Sequence, residues 1–256
     1  MQNSSVEPVT NLFLRCCEAM QAGVPALKTS PQDKEFFFQK WVTDRLGETG
    51  LNYDAGGRNS YPDLSLVHHA QGYEVKGLAT PGRLANYDCN SQVPSGLHNG
   101  RDVFYVFGRY PAEEPGLEVP ISDLVILHGD FLNADHSYQH LNDSTSGFGS
   151  YGDLRLRDRK MYVAPTPYAL LDGVVGRRTL VVPANEPGID TEHLTEVGIV
   201  ERVEVDEMMA GYSFDFATNE LLPTWTPNPT AGKVHTFVAY RSDNDAQEPV
   251  RLRPTV

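Results

Sequence analysis

Two short segments, each carrying a carboxylate, stand ten residues apart in the first third of the chain: Tyr61-Pro62-Asp63 and Glu74-Val75-Lys76-Gly77. On a β-strand, side chains two residues apart project from the same face, so Glu74 and Lys76 would lie together while Val75 points into the core. A hairpin of residues 65–67 with residues 72–76, turning at 68–71, would bring Asp63 close to Glu74. This spacing therefore predicts two carboxylates side by side on a β-hairpin.

The chemistry of these three side chains indicates a metal-dependent nuclease. Two neighbouring carboxylates can hold Mg²⁺, which prefers a few hard oxygen ligands and keeps several waters. Lys76 would neutralise charge at such a site, and it could orient or deprotonate the attacking water. The alternative is a solvated strand with a chance acid-x-lysine pair, preceded by a Pro-Asp turn.

With Pro62-Asp63 and Glu74-Val75-Lys76 at hairpin separation, the sequence resembles the PD-(D/E)XK nuclease superfamily, the fold of most type II restriction endonucleases. The likeness covers roughly residues 30–110. It implies a restriction-endonuclease-like α/β fold, with a mixed central β-sheet flanked by helices. It also implies a type II site-specific deoxyribonuclease that cuts double-stranded DNA with Mg²⁺ and leaves 5′-phosphate and 3′-hydroxyl ends. By the same resemblance, Asp63, Glu74 and the Val75 backbone carbonyl would hold the metal.

The segment 31–46 is similar to the first helix of that superfamily. Ser30 is a good N-cap and Pro31 suits the first helical position. The superfamily often places a further active-site acid on this helix, and Glu35 would be that catalytic residue. An acid favoured by the helix dipole in the first turn is an equally good interpretation of Glu35.

Polar segments around the hairpin predict contacts with DNA. Arg58 follows two glycines and could pair with a phosphate, or it could lie in a plain loop. The polar segment between Lys76 and the strand predicted at 102–110 is long for a loop in a compact domain, which favours a functional role over a structural Ω-loop. The candidate residues in it, which can contact base edges or phosphates, are Arg83, Asn90, Gln92, His98, Asn99 and Arg101.

A basic stripe is predicted farther along the chain. Arg155, Arg157 and Arg159 alternate along a possible strand, so three guanidinium groups would share one face. Arginine binds both phosphates and the guanine edge, which favours a DNA-contacting strand. The alternative is a solvated edge strand that is kept charged to prevent aggregation.

The net charge of −13 argues against a DNA partner only if it is spread evenly. Residues 183–222 contain ten acids and a single base, Arg202, so this segment alone carries −9 and the rest of the chain only −4. DNA responds to the local field and not to the sum. We expect the acidic segment to be a helix or a mixed element that faces solvent.

The remaining features set the wider expectations. At 256 residues the chain can form one nuclease domain over 1–256, with a catalytic core at about 30–110 and further strands and DNA-recognition elements at 111–256. Further strands are predicted at 120–130, 177–182 and 234–240. Three cysteines, with no signal peptide and no apolar span, predict a cytoplasmic protein that does not bind membranes. A homodimer is expected. The alternatives are a repair or recombination nuclease of the same superfamily and a non-catalytic binding module with this fold.

Overall fold

A large mixed β-sheet organises the computed structural model, which describes residues 5–30, 36–57, 60–82, 85–89, 92–113, 116–136, 148–157, 161–242 and 248–254. The helices among these residues are α1 (Glu7–Gln21), α2 (Phe36–Glu48) and the one-turn α3 (Pro167–Leu170). The strands, in chain order, are β1 (Ala26–Leu27), β2 (Tyr53–Ala55), β3 (Leu64–Leu66), β4 (Gln71–Thr80), β5 (Asn86–Asp88), β6 (Leu97–His98), β7 (Arg101–Pro111), β8 (Glu118–Val119), β9 (Asp123–His128), β10 (Arg155–Arg157), β11 (Met161–Pro165), β12 (Leu171–Asp172), β13 (Arg178–Pro183), β14 (Leu194–Val203), β15 (Glu207–Asp215), β16 (Glu220–Pro227), β17 (Val234–Ser242) and β18 (Arg251–Leu252).

The main sheet has the strand order β14-β17-β13-β9-β7-β4-β3-β2, with β6 paired to the start of β7. Two neighbouring pairs, β4 with β7 and β9 with β13, are parallel, and the other pairs are antiparallel. The chain is therefore α/β with a large mixed sheet, as predicted. The predicted hairpin and the four strands predicted beyond it are confirmed as β3–β4, β7, β9, β13 and β17.

The two faces of the sheet bury different partners. Along β7, Phe104 and Val106 face the core formed with α1 and α2, whereas Tyr105 and Phe107 face a second core formed with the C-terminal segments. Both faces of β7 are covered, which explains its nearly continuous apolar sequence. Because β4 is parallel to β7, its residues divide between the same two faces.

Helix α2 approaches the centre of the sheet because two glycines lie beneath it. Gly77 of β4 pairs with Gly108 of β7, and a Cβ atom on Gly108 would overlap the ring of Phe38. Phe38 also stacks on Trp41 one helical turn later. The part of the predicted 31–46 helix that is described thus packs on the strand that carries Glu74 and Lys76, and it continues to Glu48.

The acidic segment is not helical, which corrects the expectation made from its charge. Residues 183–222 contain β14, β15 and the start of β16. In β14 the buried positions include Val197 and Val200, and the acids Glu196 and Glu201 are exposed. A β-bulge between Glu196 and Gly198 interrupts the alternation of buried and exposed side chains, so the sequence does not show a regular strand pattern.

The segment that follows Lys76 is also more ordered than its composition suggests. Strand β4 continues to Thr80, and both β5 and β6 lie before β7. Strand β5 joins a three-stranded sheet through β11, which comes more than seventy residues later in the chain, and β11 pairs in turn with β10. This pairing is non-local, so local sequence patterns do not reveal it.

Candidate active site

The β3–β4 hairpin brings Asp63 and Glu74 to the same place. Leu64 pairs with Tyr73, so the residues that flank this pair on the two strands are Asp63 and Glu74. The Asp63 carboxylate accepts a hydrogen bond from the Val75 backbone N–H, with Oδ2 at 2.8 Å from the nitrogen. That N–H thus holds the first acid of the motif against the strand that carries the second.

Glu74 and Lys76 share one strand face, as predicted from their spacing. Lys76 Nζ lies 2.5 Å from Glu74 Oε1, and the exposed fractions of the two side chains are 24% for the lysine and 11% for the glutamate. The other carboxylate oxygen, Glu74 Oε2, is buried and has no hydrogen-bond partner in the described part of the chain. A buried acceptor without a donor is costly, and a bound cation would remove that cost.

Burial governs the charge state of these three groups. Burial raises the pKa of Asp63, and the Val75 N–H only partly offsets this. Burial also raises the pKa of Glu74; Lys76 lowers it and the Asp63 carboxylate raises it further. For Lys76, burial favours the neutral amine, but the Glu74 and Asp63 carboxylates together help to outweigh it and the pKa is raised. Lys76 is therefore an ammonium group here, suited to balancing negative charge and to donating a hydrogen bond.

Aromatic side chains form the wall beside the carboxylates. Tyr105 pairs with Glu74 across β4 and β7, and its hydroxyl lies 2.9 Å from that of Tyr61. Tyr87 packs edge-on against Phe107 on the same face. The sequence pattern did not predict this wall, although Tyr61 directly precedes the Pro-Asp pair and Tyr105 alternates with Phe104 and Val106 in the predicted strand.

The donor set fits a magnesium ion. Asp63 and Glu74 would supply carboxylate oxygens, with Val75 available through its backbone carbonyl, and Mg²⁺ commonly binds to one or two carboxylates and several waters. The unpartnered Glu74 Oε2 is an acceptor in the right place for such an ion. No cluster of three or more His, Cys, Asp or Glu side chains suited to a metal occurs within the described ranges, and this carboxylate pair is smaller than such a cluster.

The predicted DNA-contacting residues of the 83–101 segment separate into two groups. Gln92, His98 and Asn99 line a cavity, and His98 joins it to the candidate site through its contact with Tyr61. Arg101 instead donates two hydrogen bonds from Nη1 to the hairpin turn, at 2.6 Å to the Leu66 carbonyl and 3.0 Å to the His69 carbonyl. Arg101 thus braces the turn that joins the two acid-bearing segments.

The predicted basic stripe is only partly described. Arg155 is exposed on β10, where it pairs with Val163, and Arg157 is the last residue of that strand. The remaining predicted site residues, which all lie outside the described residues, are Glu35, Arg58, Arg83, Asn90 and Arg159.

A second polar cluster surrounds Glu204 at the far end of the sheet. Its carboxylate lies 2.9 Å from His136 Nε2 and 2.6 Å from His235 Nε2, and the Asn228 amide donates to it at 3.0 Å. Burial by itself raises the pKa of Glu204, but hydrogen bonds from Thr230, His235, Asn228 and His136 lower it to about 2. The cluster joins the end of β14 to β17 and to the segment near residue 136. We interpret it as a structural network.

Comparison of the chain with protein-family models, with curated proteins and with solved structures gives no match. No helix in the described residues is long and apolar enough to cross a membrane.

Proposed function

We propose that this protein is a Mg²⁺-dependent endonuclease of the PD-(D/E)XK type, acting on double-stranded DNA as a site-specific type II restriction enzyme with a restriction-endonuclease-like fold. The observation that carries the proposal is the buried constellation of Asp63, Glu74 and Lys76. Their spacing in the sequence agrees with their placement on one hairpin, and Glu74 Oε2 is a buried acceptor without a hydrogen-bond partner among the described residues.

Each of these side chains would have a separate role in hydrolysis. Asp63 and Glu74, with the Val75 carbonyl, would hold the metal, and a Mg²⁺ ion in such a site polarises the phosphate and makes water more acidic. The Val75 N–H keeps Asp63 in position before DNA arrives. Lys76, as an ammonium group, would orient the attacking water and balance the negative charge that develops on the phosphate.

The DNA would lie across the face of the sheet that carries these groups. Gln92, His98 and Asn99 are near enough to the site to contact bases next to the cut. Arg155 lies on a strand that reaches this region through β11 and β5. A homodimer would place two such sites on the two strands of a duplex.

The test is cleavage of long unmodified duplex DNA by the purified protein with Mg²⁺ or with EDTA. Asp63→Asn, Glu74→Gln and Lys76→Met should each lower the cleavage rate by about 10³-fold or more, because each removes a charge that acts on the reacting phosphate. Glu118→Gln, an exposed acid on β8, is the matched control and should cleave like the wild type.

The pattern of products separates the alternatives. Discrete fragments indicate a site-specific enzyme, and a smear indicates a repair or recombination nuclease. DNA binding without cleavage in any divalent metal indicates a non-catalytic module. Full activity in two of the three variants would remove the nuclease assignment altogether, and circular dichroism of each variant checks that the fold is retained.

A further inference from the structure

A cavity of about 450 Å³ opens beside the proposed active site. Pockets that bind small ligands in proteins are commonly about 300–1,000 Å³, so this volume is sufficient for one nucleoside. Its walls come from two segments, the 92–100 loop and the residues that follow the 3-10 turn at Gly129–Phe131. The polar residues that line it include Gln92, Ser95, His98, Asn99, Asp135 and His136.

The cavity shares a wall with the catalytic constellation. The His98 ring, which lines the cavity, packs edge-on against the Tyr61 ring at a centroid distance of 4.8 Å. The Tyr61 hydroxyl bonds to Tyr105, the strand neighbour of Glu74. Since Asp63 is only two residues from Tyr61, a nucleotide whose phosphate lay at the carboxylates could place its base in this cavity.

The loop that forms the cavity is held firmly in place. The Asp130 carboxylate accepts a hydrogen bond from the Gly96 N–H at 3.0 Å, and a Cβ atom on Gly129 would overlap the Ser95 carbonyl. The Asn133 amide donates to the Pro94 carbonyl at 3.0 Å, and its oxygen accepts from Ser150. Such fixed backbone contacts make a preformed site that need not be ordered when a ligand binds.

The chemistry of the walls selects a neutral, polar ligand. Among the described residues that line the cavity there is no lysine or arginine, whereas Asp135 contributes a carboxylate. The Asp135 carboxylate therefore disfavours a phosphate here, and no lysine or arginine of the described lining offsets it. Burial lowers the pKa of His98, so its ring is a neutral donor and acceptor. Amide side chains pair with the edge of adenine, and a carboxylate accepts a hydrogen bond from the amino group of cytosine.

We propose that this cavity binds a single nucleobase that bears an exocyclic amino group and has been taken out of the DNA stack. This inference rests on the proposed function, because that function places a scissile phosphate next to the cavity. The cavity has room for a whole nucleoside, and enzymes that extrude a base from the DNA stack seat it in a pocket. Asp135 accepts from the amino group, and Gln92, His98 and Asn99 contact the rest of the base edge.

The first test uses neutral probes that need no cleavage. Saturation-transfer NMR with 2′-deoxyadenosine, 2′-deoxycytidine, 2′-deoxyguanosine and thymidine should show binding of at least one amino-bearing nucleoside and none of thymidine. Asp135→Ala, which removes the acceptor, should weaken that binding about tenfold, in line with the cost of one lost base-edge contact. Asp206→Ala, the same change at an exposed acid elsewhere, is the matched control and should bind like the wild type.

The second test uses duplex DNA with 2-aminopurine next to each candidate position, in Ca²⁺. Fluorescence should rise on binding to the wild type and should not rise with His98→Ala. Nucleoside binding without any DNA cleavage would leave the cavity assigned and would remove the nuclease. Cleavage with neither nucleoside binding nor a fluorescence change would overturn the cavity assignment alone. Binding of thymidine or inorganic phosphate as strong as that of the amino-bearing nucleosides would also overturn it.

Discussion

Asp130→Asn should make the protein more stable at pH 8 than the wild type, by an amount that shrinks at pH 5. Asp130 lies in the 3-10 turn that follows β9, where its carboxylate anchors the cavity loop through the Gly96 N–H. Burial first, and then the nearby Asp135 carboxylate, raise the pKa of Asp130 from its ordinary 3.8 to about 7. The asparagine oxygen can accept the same hydrogen bond without carrying a charge.

The size of the effect comes from proton linkage. Between the two pKa values the folded protein keeps a proton that the unfolded chain has lost, so Asp130 stabilises the fold at low pH and this contribution is lost as the pH rises through about 7. Over the two pH units from 5 to 7, the upper bound on the unfolding free energy lost in this way is about 2.7 kcal/mol. A quarter of the side chain is exposed, so we expect screening by water to reduce this to about 1.5 kcal/mol.

Urea denaturation of the wild type and Asp130→Asn at pH 5 and pH 8 measures this difference directly, because the other titrating groups are common to both proteins. The variant should gain about 1.5 kcal/mol relative to the wild type between the two pH values, or about 3–6 °C in melting temperature. Asp206→Asn, exposed to solvent, should show no such change. An equal difference at both pH values would mean that the carboxyl group titrates normally and that the reasoning from burial is wrong.

Two further substitutions test contacts that hold the site in place. Arg101→Ala should cost about 2 kcal/mol of unfolding free energy, because it removes a charged donor from the carbonyls of Leu66 and His69. An unchanged urea midpoint, together with a smaller salt dependence of DNA binding, would instead identify Arg101 as a phosphate contact. Asp123→Asn should cost about 3–5 kcal/mol, since it leaves Arg109 buried without its counter-charge between β7 and β9. A loss below about 1 kcal/mol in the same denaturation assay would show that desolvation of this pair cancels its attraction.

The local geometry of the site was predictable from the sequence. A strand alternates strictly between its faces, so Glu74 and Lys76 had to project together once residues 71–80 were extended. A short turn between two extended segments favours antiparallel pairing, and this placed Asp63 beside Glu74. The same regularity identified β7, β9, β13 and β17, whose apolar and β-branched residues are characteristic of buried strands.

The surroundings of the site were not predictable in the same way. Nothing in the local pattern of Arg101 distinguishes a guanidinium that binds DNA from one that braces a turn, because the choice depends on carbonyls 35 and 32 residues away in the chain. The acids of β14 suggested a helix or a mixed element facing solvent, since a bulge broke the alternation that would have identified a strand.

The sequence by itself determined which chemical groups stand at the candidate site and which of them share a strand face, because both follow from residue identity and from the backbone period. Only the tertiary structure decided what encloses them. The pairing of β4 with β7 set Tyr105 beside Glu74, and the contact between the 92–100 loop and residues 129–136 created the cavity next to Tyr61. These contacts join segments far apart along the chain, and their geometry is set by how whole elements pack against one another.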